Sequence, residues 1–266
     1  LEVLETNHRA SNLYKKLGFN VIDVKKESVL KNGVWVDSIV MSLKNSDELT
    51  NKIEIVTVNY NTPDLIDNLI KSIRDNEGDY QIRIIDGSDK EPYINEIVEV
   101  CKKYDNVVLQ QQGWNIHHGR GMDLALSTSD FEWCLLIDSD SLILQPILEK
   151  MYSARIGDKK IIGNCTLAPV PGYSDNAPYY HASLLLFNVE YYRELKTKGI
   201  GYIHHGAIDI LINQYLYENN LFDVVGVDFW RFLGIENNYW VLHPEVKNYY
   251  DYGGRTTRSR FGLNLE

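Results

Sequence analysis

Two short stretches place acids where a strand should end. Leu135-Leu136-Ile137 runs directly into Asp138-Ser139-Asp140, and Ile82-Arg83-Ile84-Ile85 runs into Asp86. A D-x-D tripeptide is common on surface turns, but directly after an apolar run it is a much stronger signal. Adjacent carboxylates repel each other, and a site that keeps both ionised usually holds a cation. Oxygen ligands favour a hard ion, Mg2+ or Mn2+. Such an ion can bridge a diphosphate and stabilise the charge on a departing nucleotide. The pairs His117-His118 and His204-His205 are poor metal motifs, because neighbouring side chains diverge.

These acids need elements to hold them, and the chain alternates strand and helix from Lys52 onward, which implies a parallel sheet. Ile53–Val58 is a continuous apolar strand, as expected when both faces are buried. Thr62 then reads as an N-cap with Pro63 at the first helical position, followed by Leu65, Ile66, Leu69, Ile70 and Ile73 at helical spacing. Strand Gln81–Ile85, helix Tyr93–Tyr104, strand Val107–Gln110, a short helix Gly121–Ser127 and strand Trp133–Ile137 complete the first half. Ligands of such open sheets bind beyond the carboxyl ends of the strands, where Asp86 and Asp138 lie. There is no internal repeat and no low-complexity tract.

The bulk numbers narrow the function classes. The 266 residues carry a net charge of −10, unlike proteins that bind nucleic acid by neutralising phosphates with Lys and Arg. No partner nucleic acid is expected. A phosphorylated small molecule stays compatible, since a metal can supply positive charge locally. Cys101, Cys134 and Cys165 form no CxxC pair and read as isolated thiols of a reducing compartment. No apolar run reaches the ~18–20 residues that span a bilayer, and no signal peptide opens the chain. The expected location is the cytoplasm, with peripheral association at the inner membrane face if the acceptor is lipid-linked. The chain starts at Leu1 rather than Met, so a segment upstream stays open.

Val56-Thr57-Val58-Asn59-Tyr60-Asn61, Ile85-Asp86-Gly87-Ser88, Asn115 to Asp123 and Leu136-Ile137-Asp138-Ser139-Asp140 together resemble a family 2 glycosyltransferase of the GT-A fold. The resemblance implies a Rossmann-like α/β domain with a mostly parallel sheet and helices on both faces. It implies a hexosyltransferase that moves a sugar, with inversion, from a nucleotide-diphosphate donor (UDP expected) to a glycan or glycolipid hydroxyl, as in bacterial polysaccharide synthesis. Asp86 would face the base, and Thr57 and Asn59 would line the nucleotide pocket. Asp138 and Asp140 would face the ribose and an Mn2+ or Mg2+ ion. In the loop His117-His118-Gly119-Arg120-Gly121-Met122-Asp123, Gly119 would let the backbone approach the donor and Arg120 would meet a phosphate. The family more often has Asn where this chain has Asp123. The resemblance puts a catalytic base at Asp209, to take the proton of the attacking hydroxyl; an acid favoured by the helix dipole is the alternative. It offers His243 as a further metal ligand. The loop Pro169–Pro178 is a candidate acceptor lip, and Arg255, Arg258 and Arg260 form a basic cluster suited to a diphosphate or an anionic acceptor.

Residues 1–43 read differently: strand, helix after Asn7, then strands Phe19–Val24 and Val34–Leu43 around the turn Lys31-Asn32-Gly33. Asn7-His8-Arg9-Ala10, Leu13-Tyr14, Gly18-Phe19, Asp37 and Met41-Ser42-Leu43 resemble the C-terminal part of a GNAT-type N-acetyltransferase, in which Tyr14 would match the general acid. The expected organisation is this partial α+β segment over 1–43, a linker over 44–51 and the glycosyltransferase domain over 52–266. The rival readings are a non-catalytic nucleotide- or carbohydrate-binding module and an acetyltransferase fusion lacking its N-terminal half. A sugar-1-phosphate nucleotidyltransferase is disfavoured, because Asn59-Tyr60-Asn61-Thr62-Pro63 stands where its Gly-rich loop would be.

Overall fold

A computed structural model of the chain describes residues 2–16, 19–31, 33–43, 49–144, 146–153, 159–169, 172–173, 176–204, 208–221 and 241–242. The chain divides into two compact units, Leu1–Leu49 and Thr50–Glu266.

In the first unit, strand β1 (Glu2–Leu4), helix α1 (His8–Lys16), β2 (Phe19–Lys31) and β3 (Val34–Leu43) form an antiparallel sheet in the order β1-β3-β2. Asn7 caps α1 by accepting from the Ala10 N–H at 3.1 Å. Strand β2 runs well past the expected end at Val24. The polar run Lys25-Lys26-Glu27 reads as a break, yet the strand passes through it with a register shift between Lys25 and Val29. Asp37 on β3 stitches the irregularity, taking Lys26 Nζ at 2.6 Å and the Glu27 N–H at 2.8 Å. Those bonds hold the Asp37 carboxyl below its ordinary range. Val21, Val24, Leu30, Val34 and Trp35 stay exposed on this sheet.

The second unit is built on a six-stranded sheet of order β6-β5-β4-β7-β10-β9. Strands β4 (Ile53–Asn59), β5 (Ile82–Asp86), β6 (Val107–Gln111) and β7 (Trp133–Ile137) are mutually parallel, β10 (Asn176–Asn188) runs antiparallel between β7 and β9, and β9 (Ile161–Pro169) at the edge shares the direction of the first four. Strand β8 (Leu142–Ile143) pairs with β11 (Val241–Leu242) in a separate ribbon. The β9–β10 pair takes in the two ends of the stretch expected to form an acceptor lip, since Pro169 belongs to β9 and Asn176–Pro178 to β10. The apolar signal of β10 was hidden there by Tyr and Pro.

Helices α2 (Pro63–Asn76), α3 (Tyr93–Cys101), α4 (His118–Thr128), α5 (Leu148–Ser153), α6 (Val189–Thr197) and α7 (Ile210–Glu218) cover the sheet. Val56, Ile85, Cys134 and Leu136 pack into one core with Met122, Ala125 and Leu126 of α4, Tyr192 and Leu195 of α6, and Ile212 and Leu216 of α7. Strand alternation turns Ile53 and Ile55 to the other side, where α2 buries Ile66, Leu69, Ile70 and Ile73. Each such fully buried side chain contributes roughly 1.5–3 kcal/mol.

At the amino edge of the sheet, Arg83 Nη2 reaches Glu54 Oε2 at 2.8 Å, with the two side chains 9% and 3% exposed. The same guanidinium donates to Thr128 Oγ1 and to the Ala125 carbonyl. This buried network fixes the C-terminal end of α4, so the N-terminal end of that helix is held over the opposite, carboxyl edge.

Candidate functional site

Four polar side chains meet where β4 and β5 end. Asn59 and Asp86 are register partners at the tips of these strands, and both are buried. Asn59 Nδ2 donates to Asp86 Oδ1 at 2.9 Å and to Ser88 Oγ at 3.3 Å. Ser88 adds its hydroxyl at 2.7 Å and its backbone N–H at 3.2 Å to the same Oδ1. Thr62 Oγ1 donates to Asn59 Oδ1 at 2.7 Å. Asp86 Oδ2 and Thr57 Oγ1 are buried without a hydrogen-bond partner.

One expectation changes here. Thr62 occupies the N-cap position of α2 but makes no side-chain cap bond, because Asn59 claims its hydroxyl. The Asn59 amide has protein partners on both its oxygen and its nitrogen.

Strand β7 delivers the second set. Asp138 and Asp140 follow its last residue and are half-buried. The Asp138 N–H bonds the Ser183 carbonyl at 3.2 Å, tying the acidic turn to β10, and the Asp138 carbonyl accepts from the Ser141 N–H at 3.1 Å. His118, the first residue of α4, places Nε2 3.2 Å from Asp138 Oδ1. Desolvation works against a charged His118, but Asp138, with Asp209 and Asp140 behind it, holds the imidazole above its ordinary value. His181 on β10 goes the other way: burial lowers it, against the pull of Asp209 and Asp138. The three acids are therefore electrostatic neighbours around two imidazoles, although sequence separates them widely.

Asp209 stands at the N-cap of α7 without capping it. It is 7% exposed. Its Oδ1 accepts from the Tyr179 hydroxyl at 2.6 Å and its Oδ2 from the Ala182 N–H at 3.2 Å. Burial and that carboxylate together push the Tyr179 phenol well above its usual range. Tyr202 is fully buried nearby and is raised by desolvation first, then by Asp209; its hydroxyl has no hydrogen-bond partner.

The loop ahead of α4 is tightly seated. A Cβ on Gly119 would lie 1.7 Å from the Ile203 carbonyl oxygen, and one on Gly121 would lie 2.6 Å from Val58 Cγ2. Both glycines are thus required by protein packing, independently of any approach to a donor. His117 adopts a left-handed φ of 62°, a conformation that costs a non-glycine residue about 1–3 kcal/mol. Its ring meets His204 edge-on at 4.4 Å, while His118 points to Asp138, so the adjacent histidines do diverge. Arg120 lies over the exposed Trp114 ring at 5.9 Å. Asp123 pairs with Lys196 at 2.7 Å and accepts from the Tyr192 hydroxyl.

The donor chemistry of Asp138 and Asp140 suits a hard divalent cation. Among the described residues there is no group of three or more His, Cys, Asp or Glu arranged to hold a metal, so phosphate oxygens and water would complete the shell. His243, Arg255, Arg258 and Arg260 lie outside the described residues. Sequence reasoning passed over Ser88, Thr62, His118, His181 and Tyr179 as site residues. The D-x-S spacing of Asp86 and Ser88, an Asx-type turn signal, could have drawn in Ser88. No local signal ties Tyr179 to Asp209, because that contact is made only when β10 and α7 pack together. Among the described residues no helix is long and apolar enough to cross a membrane.

A mostly parallel sheet with helices on both faces and acids gathered at its carboxyl edge defines the α/β class of the GT-A glycosyltransferases. Residues 54–210, more than half of the chain, match the family model "Glycosyl transferase family 2", and the chain belongs to that family. No curated protein gives a match. Among solved structures, the chain is similar to the mannosyltransferase PcManGT from Pyrobaculum calidifontis in complex with GDP-Man and Mn2+, at 14% identity over 60% of this chain and 50% of that one, TM-score 0.47. It is similar to S. aureus TarS 1-349 in complex with UDP-GlcNAc, at 18% identity over 60% of this chain and 52% of that one, TM-score 0.42. A third is the galactosyltransferase LgtC in complex with donor and acceptor sugar analogs, at 14% identity over 79% of this chain and 94% of that one, TM-score 0.48. The chain spans about half the length of the first two.

Proposed function

We propose that this protein transfers a sugar from a UDP-sugar to a hydroxyl of a glycan or glycolipid, with inversion at the anomeric carbon. The observation that carries the reading is Asp86, a carboxylate at the carboxyl edge of the sheet whose Oδ2 is buried without a partner. A buried acceptor left open is costly, and the imide N–H of uracil completes it. Asp138 and Asp140 would hold Mn2+ or Mg2+, which when bound neutralises the diphosphate as it leaves. His118 beside Asp138 adds positive character at the same place. Asp209 is the base of this reading. The acceptor oxygen attacks the anomeric carbon, the bond to the diphosphate oxygen breaks with its electron pair, and the acceptor proton passes to Asp209. The Tyr179 and Ala182 donors orient that carboxylate.

Residues 52–266 act as the transferase domain in this reading. Residues 1–43 are a C-terminal acetyltransferase-type segment joined through 44–51. A lipid-linked acceptor would bring the protein to the inner membrane face from the cytoplasm. Release of UDP from a panel of UDP-, GDP- and CDP-sugars, with and without Mn2+, tests the donor. Asp209→Asn is expected to abolish transfer while sparing UDP binding; near-normal turnover in that variant places the base elsewhere. A second reading is favoured by one observation, the engagement of both Asp209 oxygens in a site only 7% exposed. It holds the domain to be a nucleotide-binding module without turnover, and predicts tight UDP binding with no transfer to any acceptor.

A further inference from the structure

Thr62 sits one residue ahead of Pro63 at the start of α2. A threonine there ordinarily turns its hydroxyl to a backbone N–H of the first turn. This one makes no cap bond and donates instead to Asn59 Oδ1 at 2.7 Å. With a donor on its oxygen and Asp86 on its nitrogen, the Asn59 amide has a single workable orientation. The flipped amide would set oxygen against oxygen at Asp86 and N–H against O–H at Thr62. Asn59 is fully buried, so no water offers an alternative partner.

The consequence is felt at Asp86. Asn59 Nδ2, the Ser88 hydroxyl and the Ser88 N–H all converge on Oδ1. The Ser88 hydroxyl cannot serve elsewhere, since it gives its proton to Asp86 and accepts from the Asn61 N–H at 3.0 Å and from Asn59 Nδ2. Oδ2 is left buried and unpartnered. A helix cap has been given up, and the bonds formed in its place load one oxygen of a carboxylate and spare the other. Places where a local rule is broken without structural gain are where function is expected.

We infer that Thr62 is a positioning and specificity-determining residue for the nucleobase, acting through Asn59 to keep Asp86 Oδ2 as a lone acceptor for a ring N–H. The inference rests on the nucleotide-sugar reading of this site. The chemistry selected is an N–H flanked by carbonyls, as uracil presents at N3. Cytosine presents a bare acceptor nitrogen at that position, and two acceptors facing each other across a dry contact repel. Without the Thr62 hydroxyl, the Asn59 amide loses one of the two partners that fix it and its hold on Asp86 Oδ1 loosens. The carboxylate can then rotate so that the Ser88 donors are shared between its two oxygens, and the preference for N–H bases weakens.

The test is the affinity for UDP and for CDP, each with Mn2+ in excess, by titration calorimetry on the full chain and on Thr62→Val and Thr62→Ser. The wild type is expected to prefer UDP. Thr62→Val should lose about tenfold in UDP affinity, the effect of one lost buried hydrogen bond, with CDP affinity unchanged. Thr62→Ser should restore the wild-type ratio. The unfolding midpoint of ligand-free Thr62→Val should fall, because Asn59 Oδ1 is left buried without its donor, and Thr62→Ser should recover it together with the UDP/CDP ratio. A wild type that discriminates, with Thr62→Val keeping the UDP/CDP ratio within about twofold, overturns the relay and leaves the donor site standing. A wild type that binds neither nucleotide overturns the donor-site reading and the relay with it. Should Thr62→Val fail to fold, Ser88→Ala removes another donor from the same oxygen; it must lower the UDP/CDP ratio, and an unchanged ratio overturns the inference.

Discussion

Glu54 and Asp86 are buried carboxylates on neighbouring parallel strands, 2% and 1% exposed, yet the protein treats them in opposite ways. At the amino edge, Glu54 spends both oxygens. Oε1 accepts from Gln81, and Oε2 accepts from Arg83 and Ser129 with the Cys134 thiol 3.8 Å away. At the carboxyl edge, every donor near Asp86 lands on one oxygen. The first acid is complete within the fold and ties α4, β5 and β7 together. The second has one oxygen, Oδ2, with no hydrogen-bond partner inside the fold. Burial alone does not tell these two acids apart; the accounting of each oxygen does, and it is the ground on which Asp86 is proposed to bind.

The largest effect that would break this comparison is on stability. Glu54→Leu leaves the Arg83 guanidinium buried without its partner and should cost about 3–5 kcal/mol, read by urea unfolding. Asp86→Asn keeps an oxygen for the Ser88 donors and should change stability by less than about 1 kcal/mol, while UDP binding is lost. If Asp86→Asn instead proves as destabilising as Glu54→Leu, the two acids do the same job and the contrast fails.

Next comes chemistry. Asp138→Asn and Asp140→Asn should lower turnover by about 10²–10³-fold, the size of one lost electrostatic contact to a developing charge. The ligand-free unfolding midpoint should barely move, since both side chains are half-buried at a sheet edge. Metal-dependent stabilisation by UDP, about 2.7 kcal/mol at 100 times Kd, should vanish in both variants.

Gly119→Ala sharpens the same contrast from the packing side. A Cβ 1.7 Å from the Ile203 carbonyl cannot be accommodated without backbone movement, with an expected cost of about 1–3 kcal/mol or more. Because His118 precedes it, UDP turnover should fall together with stability, unlike in Glu54→Leu, where the change lies at the far end of α4.

The smallest effect concerns the thiols. Burial pushes Cys101 and Cys134 up to about 12. In the unfolded chain these groups ionise at their ordinary value, so their contribution to stability is complete below that value and declines as pH rises through it. Native protein at pH 8 should therefore react slowly with iodoacetamide at both positions and rapidly after unfolding, as peptide mass mapping would show.

Much of the frame could be read from the residues alone. Continuous apolar runs mark strands buried on both faces, and β4, β5 and β7 fall within a residue of where those runs lie, as does the more exposed edge strand β6. The acids after β5 and β7 are legible for the same reason, since a polar residue directly following such a run must sit at the sheet edge. Strand β2 was harder, because a charged run crossed by a bulge has no period to read. Thr62 misled, because a cap residue before Pro63 is a strong local pattern, whereas the hydroxyl's partner lies on the strand it follows.

The sequence by itself determined the alternation of elements, the parallel sheet and the positions of Asp86, Asp138 and Asp140, because these follow from periodicity and local turn chemistry. Tertiary structure alone decided which oxygen of Asp86 stays open, that Asp209 is held by Tyr179 and the Ala182 N–H, that His118 faces Asp138, and that Asp123 belongs to Lys196. Each of those is a hydrogen bond or ion pair between groups distant in sequence, and its geometry exists only after the strands and helices have packed.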